Sequence, residues 1–409
     1  MKTIVFAKQH PYLTAIALAL GSAIALGLAR FSYALLLPLM RDDLNWSYLI
    51  AGTMNTANAL GYFIGAMSSP AMMRRMSASR FFIVACLITG FFIFLSGTTD
   101  DATLLFTYRV LAGIASAWIF VSGGVLAAQL GQLHSQQSGL ILGIFYGGPG
   151  LGILLSSVLV PGVQAYGQVH QWSHIWQGSW YALGLLCFVL TIFVTRPVAS
   201  IPTVPAKAAG QAHAPLMSYV FMLMGYFMFG VGYIGYMTFV VALLKQLGID
   251  ELTLYVFYGV LGLAVMFSSR IWAGLLDRYR GGQSLAILNT LLGCASLIPA
   301  VIAMQELSLN SLVLGLIFLS GIIFGAVFLS AVASTTAFVK HNLPASEWVA
   351  GITAFTSIFA IGQVLGPTVV GWISDGQGGL EFGLLLSSIA LLIGGAIAIL
   401  QKSLLPHHS

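Results

Sequence analysis

The sequence predicts an all-α membrane protein with twelve transmembrane helices in two pseudo-symmetric six-helix halves. Three observations support this fold class. Of the 409 residues, 58% are apolar and only 7% are charged, whereas about a quarter of the residues in a soluble domain are charged. Apolar runs of about twenty residues, enough to cross a bilayer as a helix, occur twelve times. Finally, features of the first half recur in the second half at a fixed spacing.

The predicted spans lie on either side of one long polar break. In the first half they cover residues 12–40, 48–70, 80–98, 102–130, 136–160 and 176–195. In the second half they cover 216–245, 251–273, 283–303, 309–340, 346–371 and 381–401. The break contains four prolines. We therefore predict an N-terminal bundle (1–195), a cytoplasmic linker (196–215) and a C-terminal bundle (216–409).

The distribution of charge predicts the orientation. With the N-terminus inside, twelve Lys and Arg residues fall on the inner surface, and only Arg41 and Lys245 fall on the outer one. Cytoplasmic loops carry an excess of basic residues, so we expect both termini in the cytoplasm of a bacterial inner membrane. The first run is too long for a cleaved signal peptide and is read as a retained span. The net charge of +5 is scattered over short loops, which does not favour nucleic-acid binding.

Several function classes lack their expected sequence features. No P-loop, Cys-based metal spacing or nucleophile elbow occurs in a plausible context, so neither an enzyme nor a cofactor is predicted. The cysteines, Cys86, Cys187 and Cys294, each lie inside an apolar run, which argues against a disulfide framework. His170 and His174 are four residues apart, but two ligands without a third are weak support for metal. No metal site is predicted.

The two halves resemble each other at an offset of 203 residues. The stretch from Gly27 to Tyr33 aligns with that from Gly230 to Tyr236. At the same offset, Arg74-Arg75 after the second span aligns with Asp277-Arg278 after the eighth. Glycine and proline are concentrated in spans 5 and 11. Repeated halves with a substrate site at their interface are typical of many secondary transporters.

With these motifs, the chain resembles the major facilitator superfamily over essentially its whole length. Asp277-Arg278 matches the acid–base position of its loop motif, although Ala273 replaces the usual Gly and the first-half copy lacks the Asp. The stretch from Arg109 to Gly113 is similar to its Arg-x-x-x-Gly motif. The Gly27–Pro38 string resembles the YbfB/YjiJ-like bacterial branch. The resemblance implies alternating-access transport by a monomer, with spans 1, 4, 7 and 10 around a central cavity.

Arg30 is the most informative residue, because it lies near the middle of the first apolar run. Burying a guanidinium in hydrocarbon costs several kcal/mol at least, and Pro38 at the outer end is about 12 Å of helix away. No Asp or Glu lies in the middle of any span. One interpretation is a cavity cation that holds an anionic group of the substrate. The alternative is an arginine that caps carbonyls of a neighbouring broken helix.

Other substrate-binding candidates surround this position. Tyr33 shares a helical face with Arg30. Arg109 has two interpretations: the resemblance associates its motif with proton movement or gating, whereas a structural role would bond it to backbone carbonyls. Span 7 carries three tyrosines on one face, which we expect to line the cavity. Packing in the protein core is the alternative interpretation of such a row of aromatic residues. These are Tyr226, Tyr233 and Tyr236. Weaker candidates are Asn55, Asn58, Tyr146, Ser330 and Ser334.

Gating residues are predicted from the same comparison of the halves. Proline bends helices and glycine admits close contact, so we expect Gly147, Pro149, Gly366 and Pro367 to permit bending and sliding; plain packing is the alternative. The resemblance implies that Asp277 and Arg278 form an inner latch. A solvated loop pair worth less than about 1 kcal/mol is the alternative.

These features predict a secondary active transporter of a small organic solute, and the absence of an ATP motif from the sequence argues against a primary pump. An unpaired Arg30 and a tyrosine-lined cavity favour an amphipathic organic anion, carried with a proton or exchanged for another anion. A proton-coupled multidrug efflux antiporter is the alternative, although lipophilic cations usually require a buried anion. A non-transporting membrane sensor is a third reading, but no sizeable soluble domain is present.

Overall fold

The computed structural model describes residues 4–202, 216–344 and 347–404, apart from the side chains of residues 4, 5 and 349. Within these ranges every regular element is a helix. We number the long helices α1 (Pro11–Asp43), α2 (Tyr48–Met73), α3 (Ala78–Leu95), α4 (Ala102–Leu133), α5 (Ser138–Val169), α6 (Ile175–Ala199), α7 (Val220–Gln246), α8 (Glu251–Ile271), α9 (Gln283–Met304), α10 (Ser311–Asn342), α11 (Trp348–Ser374) and α12 (Gly379–Ala398).

Eleven helices among the described residues are long and apolar enough to cross a membrane. The predicted span that is not among them is α2. Its 26 residues amount to about 39 Å of helix, which is long enough to cross a bilayer. Its hydropathy is reduced by polar side chains that share the helix with alanine and glycine, namely Thr53, Asn55, Thr56 and Asn58.

Two helices end four or more residues beyond their predicted ends. Helix α5 continues from the predicted end at residue 160 to Val169, because Pro161 does not end it; neighbouring groups can satisfy the backbone that proline frees in a membrane helix. Helix α6 continues to Ala199, so the predicted linker, 196–215, begins inside a helix. Residues 203–215 of that linker lie outside the described ranges.

Helix α1 changes its winding in the middle. Residues Pro11–Ser22 and Tyr33–Asp43 are α-helical, whereas Ala23–Phe31 form a π-helix. At its end the Ser32 N–H donates to the Gly27 carbonyl at 2.9 Å, five residues back. Such π turns are rare and frequently lie at functional sites. Arg30 is on this π-helix, so the unusual winding sets the direction of its side chain.

Glycines bring α5 against α1, and α11 against α7. A Cβ added to Gly152 would lie 2.7 Å from Gly27 Cα, and one added to Gly362 would lie 3.1 Å from Gly230 Cα. Both distances are too short for a side chain, so each crossing requires glycine. Gly27 and Gly230 are 203 residues apart, the offset of the sequence repeat. Equivalent positions in the two parts of the chain therefore make equivalent helix contacts.

Helices α1 and α7 form the centre of the bundle. In the most apolar 18-residue stretch of α1, 78% of the residues are buried, and in that of α7, 83% are buried. These shares are higher than in any other apolar helix of the described chain. Phe31 of α1 meets Phe328 of α10 edge to face at 5.7 Å between ring centroids, and the Tyr258 hydroxyl of α8 donates to the Phe31 carbonyl at 2.6 Å. The π-helix of α1 thus contacts the C-terminal part of the chain directly.

Candidate functional site

The Arg30 guanidinium is buried without a hydrogen-bond partner in the described part of the chain. Only 2% of the residue is exposed, and its Nε and Nη2 atoms are enclosed and unpaired. Its closest aromatic partner is Tyr62 of α2, whose ring centroid lies 5.8 Å from Cζ. Tyr233 of α7 also lies near the guanidinium. A fixed cation is therefore surrounded by tyrosines and lacks a protein acceptor.

Arg109 is equally buried but its donors are occupied. Its Nη1 donates to the Ala29 carbonyl at 2.6 Å, and its Nε donates to the Met54 carbonyl at 3.4 Å. Its Nη2 lies 3.5 Å from Asn55 Oδ1. The side chain thus connects α4 to α1 and α2, and one of its acceptors immediately precedes Arg30. This geometry matches the structural interpretation of the motif arginine.

Tyr33 lies with Arg109 rather than with Arg30. Its hydroxyl donates to the Ala51 carbonyl at 2.8 Å, and its ring stacks with Trp180 at 6.5 Å. The Arg109 guanidinium lies 5.1 Å from the centroid of the Tyr33 ring, a distance at which a cation and an aromatic face attract each other. The i+3 spacing predicted a shared face with Arg30, but the π-helix between them alters that relation.

The tyrosines of α7 separate into two environments. Tyr226 and Tyr233 belong to an aromatic stack with Phe359 of α11, at centroid distances of 4.9 Å and 5.6 Å from that ring. Tyr236 instead packs on Phe324 at 4.0 Å, and its hydroxyl is bonded to the Ser320 hydroxyl at 2.9 Å. The structure therefore places Tyr233 and, through the stack, Tyr226 near Arg30, and Tyr236 apart from them.

Two aromatic residues of this region were not predicted from the sequence: Tyr62, beside Arg30, and Phe359, which stacks on Tyr233. A signal for Tyr62 was available, because it follows Asn55 and Asn58 at helical spacing on the polar face of α2. Tyr146, a weaker candidate, is 38% exposed and interacts with Tyr62. No sequence signal identifies Phe359, whose role depends on how α11 packs against α7.

The other weak candidates make local or interhelical bonds. Asn58 donates to the Arg109 carbonyl at 3.3 Å, and Asn55 donates to the Thr238 hydroxyl of α7 at 2.6 Å. Ser330 is bonded to Ser268 at 2.8 Å, and Ser334 is bonded to its own helix. Serine hydroxyls in membrane helices commonly bond backbone carbonyls in this way. None of the contacts of these four residues involves Arg30.

One end of the bundle, which we call the Asp42 end, is closed by polar contacts between residues before 202 and residues after 216. Asp42 pairs with Lys245 at 3.1 Å. The Asp375 carboxylate, at the end of α11, accepts the backbone N–H groups of Tyr48 and Leu49 at 2.7 and 2.9 Å. It thereby caps the first turn of α2, where free N–H groups and the helix dipole favour an anion.

Deeper contacts continue this closure. The Thr56 and Thr368 hydroxyls are 2.8 Å apart, and Tyr255 of α8 donates to Gln164 of α5.

Of the predicted glycine and proline gating residues, two contact the other part of the chain and two contact their own part. Gly147 lies against the Met266 backbone of α8, and the Pro367 carbonyl lies against Gly52 of α2, whereas Gly366 and Pro149 face α7 and α1 within their own parts of the chain.

At the opposite end, Asp277 and Arg278 lie on a short helix, Ala273–Arg278. Neither takes part in an ion pair with a described residue; the three ion pairs of the described chain all involve Asp42 or Asp43. Arg278 instead lies 5.5 Å from the ring of Tyr279. The latch predicted for these two residues is therefore unformed in this conformation.

His170 and His174 do not converge on a common point. His174 Nδ1 contacts Asp43 at 2.6 Å, while His170 Nδ1 contacts the Tyr166 carbonyl at 2.8 Å. Trp176 also donates to Asp43, at 2.6 Å. Among the described residues no group of three potential metal ligands is present. Asp43 is thus a structural acceptor that anchors the start of α6 to the end of α1.

Comparisons with known proteins agree with this architecture. Among solved structures, the nucleoside transporter NupG is similar with a TM-score of 0.69 and 13% identity, over 98% of this chain and 100% of that one. A bacterial homologue of the human lysosomal transporter Spinster gives a TM-score of 0.71 and 12% identity, over 96% of each chain. At these identities the likeness establishes the fold alone.

Sequence comparisons identify the family. No curated protein matches the chain in sequence. The family model described as "Uncharacterised MFS-type transporter YbfB" matches residues 22–399. That match covers almost the whole chain, and it confirms the resemblance found from the Arg30 and Arg109 motifs. The chain is a multi-pass membrane protein that belongs to the YbfB-like family of MFS-type transporters.

Proposed function

We propose that the protein is a secondary active transporter that moves a small amphipathic organic anion by alternating access. The observation that carries this proposal is the buried, unpaired guanidinium of Arg30. A buried charge without a partner costs several kcal/mol, and an intramembrane charge of this kind usually faces a functional cavity. A substrate carboxylate satisfies the free Nε and Nη2 donors in a bidentate, charge-assisted arrangement.

The surroundings of Arg30 supply the apolar part of the site. Tyr233 and Phe359 stack on each other with ring centroids 5.6 Å apart, and Tyr62 adds a third ring. Aromatic surfaces contribute both area and ring-stacking geometry to binding. A small anion with an apolar or aromatic body therefore fits this site better than a compact inorganic anion does.

The contacts support a rocking movement of two six-helix halves, with twelve spans including α2. The equivalent glycine crossings of Gly27 with Gly152 and of Gly230 with Gly362 are what two related halves require. Arg30 and Tyr233 lie between these halves, where repeat-built transporters bind their substrates. The polar contacts at the Asp42 end close one route to this site. We propose that the site opens at the opposite end, which the basic loops assign to the cytoplasm of a bacterial inner membrane.

Coupling to the driving ion follows from the buried polar groups. The buried charged residues of the described chain are Arg30 and Arg109, with no Asp or Glu among them. A membrane carboxylate that alternately binds and releases a proton is thus missing from the described interior. The proton either travels on the substrate's own carboxyl group or is replaced by an exchanged anion. We propose that a monomer performs this cycle in the bilayer.

The test is transport by purified protein in vesicles, with aromatic carboxylates and lipophilic cationic dyes as substrates. We expect carboxylate transport that Arg30→Gln abolishes. The matched control is Arg80→Gln, which removes an exposed arginine from α3 and should leave transport unchanged. Carboxylate transport that survives Arg30→Gln overturns the proposal. Dye efflux without carboxylate transport favours the multidrug antiporter instead.

A further inference from the structure

Gln363 of α11 is another buried polar side chain in the membrane-spanning part of the described chain. Only 2% of the residue is exposed, and its amide makes no hydrogen bond with any residue that the structure describes. An amide carries two N–H donors and one carbonyl acceptor. Neither the sequence patterns nor the repeat indicated this residue.

The contacts of α11 fix the direction in which Gln363 points. One turn before it, Phe359 stacks on Tyr226 and Tyr233 of α7. One turn after it, Pro367 lies against Gly52 of α2. Residues four apart share a helix face, so Gln363 lies on the face between α7 and α2. These two helices carry Tyr233 and Tyr62, the neighbours of Arg30.

The residues on the opposite face of α11 show that the Gln363 side chain does not point toward lipid. Ile361 and Leu365 are exposed large hydrophobic residues. Each is two positions from Gln363, about 160° around the helix axis. They therefore mark the lipid-facing side, and the Gln363 amide is directed away from lipid into the interior of the bundle.

We infer that Gln363 is a specificity-determining residue, which hydrogen-bonds a hydroxyl or amide group on the apolar part of the transported anion. The inference rests on the proposed function, because Arg30 then holds the carboxylate while Gln363 recognises the second polar group. A site built to bond a substrate hydroxyl strongly disfavours the analogue that lacks it, since the protein's own polar group is then left unpaired. The substrate class is thereby narrowed to organic anions with a second hydrogen-bonding group.

The test compares probes that differ only in that group. Binding is measured for two pairs of equal shape, 4-hydroxybenzoate with 4-methylbenzoate and 4-hydroxyphenylacetate with 4-methylphenylacetate. The wild-type protein should bind the hydroxyl member of at least one pair about 10-fold more tightly. In Gln363→Met, and in Gln363→Leu as a second apolar variant, the ratio should fall to about 1, with the methyl member bound as in the wild type.

The control is Thr356→Val, on the same face of α11 two turns away, where the hydroxyl is already bonded to the Ile352 carbonyl at 2.9 Å. This variant should retain the wild-type preference. If the wild-type protein binds both members of each pair equally, or if the preference survives in the Gln363 variants, the inference is wrong while the proposed function stands. If no aromatic carboxylate binds at all, the proposed function itself fails.

Discussion

Asp42 and Lys245 are 203 residues apart and form an ion pair at 3.1 Å. Arg30 and Tyr233 have the same separation and also lie near each other. Each residue thus faces its own counterpart in the sequence repeat. Counterparts can meet in this way only near the axis that relates the two repeats. The proposed substrate site and the closed Asp42 end therefore lie along one line through the centre of the bundle.

The Asp375 cap predicts how closure of the Asp42 end can be weakened. Asp375→Ala removes the acceptor for the Tyr48 and Leu49 N–H groups, and loss of a helix cap costs about 0.5–2 kcal/mol. The population open at the Asp42 end should rise by up to about 30-fold. The measurement is labelling of Thr238→Cys, buried at this closure, by a membrane-impermeant maleimide in a variant without the native cysteines.

The matched control is Asp250→Ala. Asp250 also caps a helix, but it accepts from Thr253 of its own helix at 3.0 Å and makes no bridge between the two parts of the chain. Hydrogen bonds from Thr253 hold the pKa of Asp250 below its usual value, so the Asp250 cap is ionised at neutral pH. Equal labelling in both variants would show that the Asp375 cap does not hold this end closed.

Replacing Arg30 should separate stability from transport. Arg30→Met fills a similar volume without charge and removes the cost of leaving buried donors unpaired, about 1–3 kcal/mol. We expect a higher Tm in detergent and no anion transport. A lower Tm for this variant would mean that Arg30 has a structural partner in the protein.

Replacing Arg109 should have the opposite effect on stability. Arg109→Gln removes the charged donors to the Ala29 and Met54 carbonyls. Hydrogen bonds to charged groups contribute about 1.5–3 kcal/mol each, so the variant should melt at a clearly lower temperature than the wild type. If Arg109→Gln melts normally but fails to transport, the proton or gating role of its motif is the better interpretation.

The glycine crossings predict a position-dependent cost of adding one methyl group. Gly152→Ala places a Cβ against Gly27 and the Ala23 carbonyl, and overpacking of this kind costs about 1–3 kcal/mol. Gly315→Ala in α10 meets nothing within 4 Å and should be neutral or stabilising, because alanine is the better helix former. Thermal unfolding of both variants checks the prediction. Similar Tm values would contradict the close approach of α1 and α5.

Hydropathy predicts the helices of this fold because the bilayer imposes length and composition on each span. The free-energy cost of a membrane charge likewise identified Arg30 from sequence. The acceptors of Arg109 and the separation of Tyr236 from Tyr233 could not be predicted from the sequence, since they depend on which helices pack against each other. The π-helix was not predicted either, because apolar periodicity does not distinguish it from an α-helix over nine residues. The relation of Tyr33 to Arg30 depends on the π-helix and was therefore predicted incorrectly.

Asn55 has a consequence for how the site and the closure influence each other. Its Nδ2 donates to Thr238 across the closed interface, while its Oδ1 lies beside Arg109, which in turn holds the carbonyl preceding Arg30. Moving α7 away from α2 removes one partner from this chain of contacts. Affinity for the proposed anion and the open or closed population are then linked properties, and linkage is reciprocal. If opening changes the affinity for the anion by some factor, binding of the anion changes the opening equilibrium by the same factor.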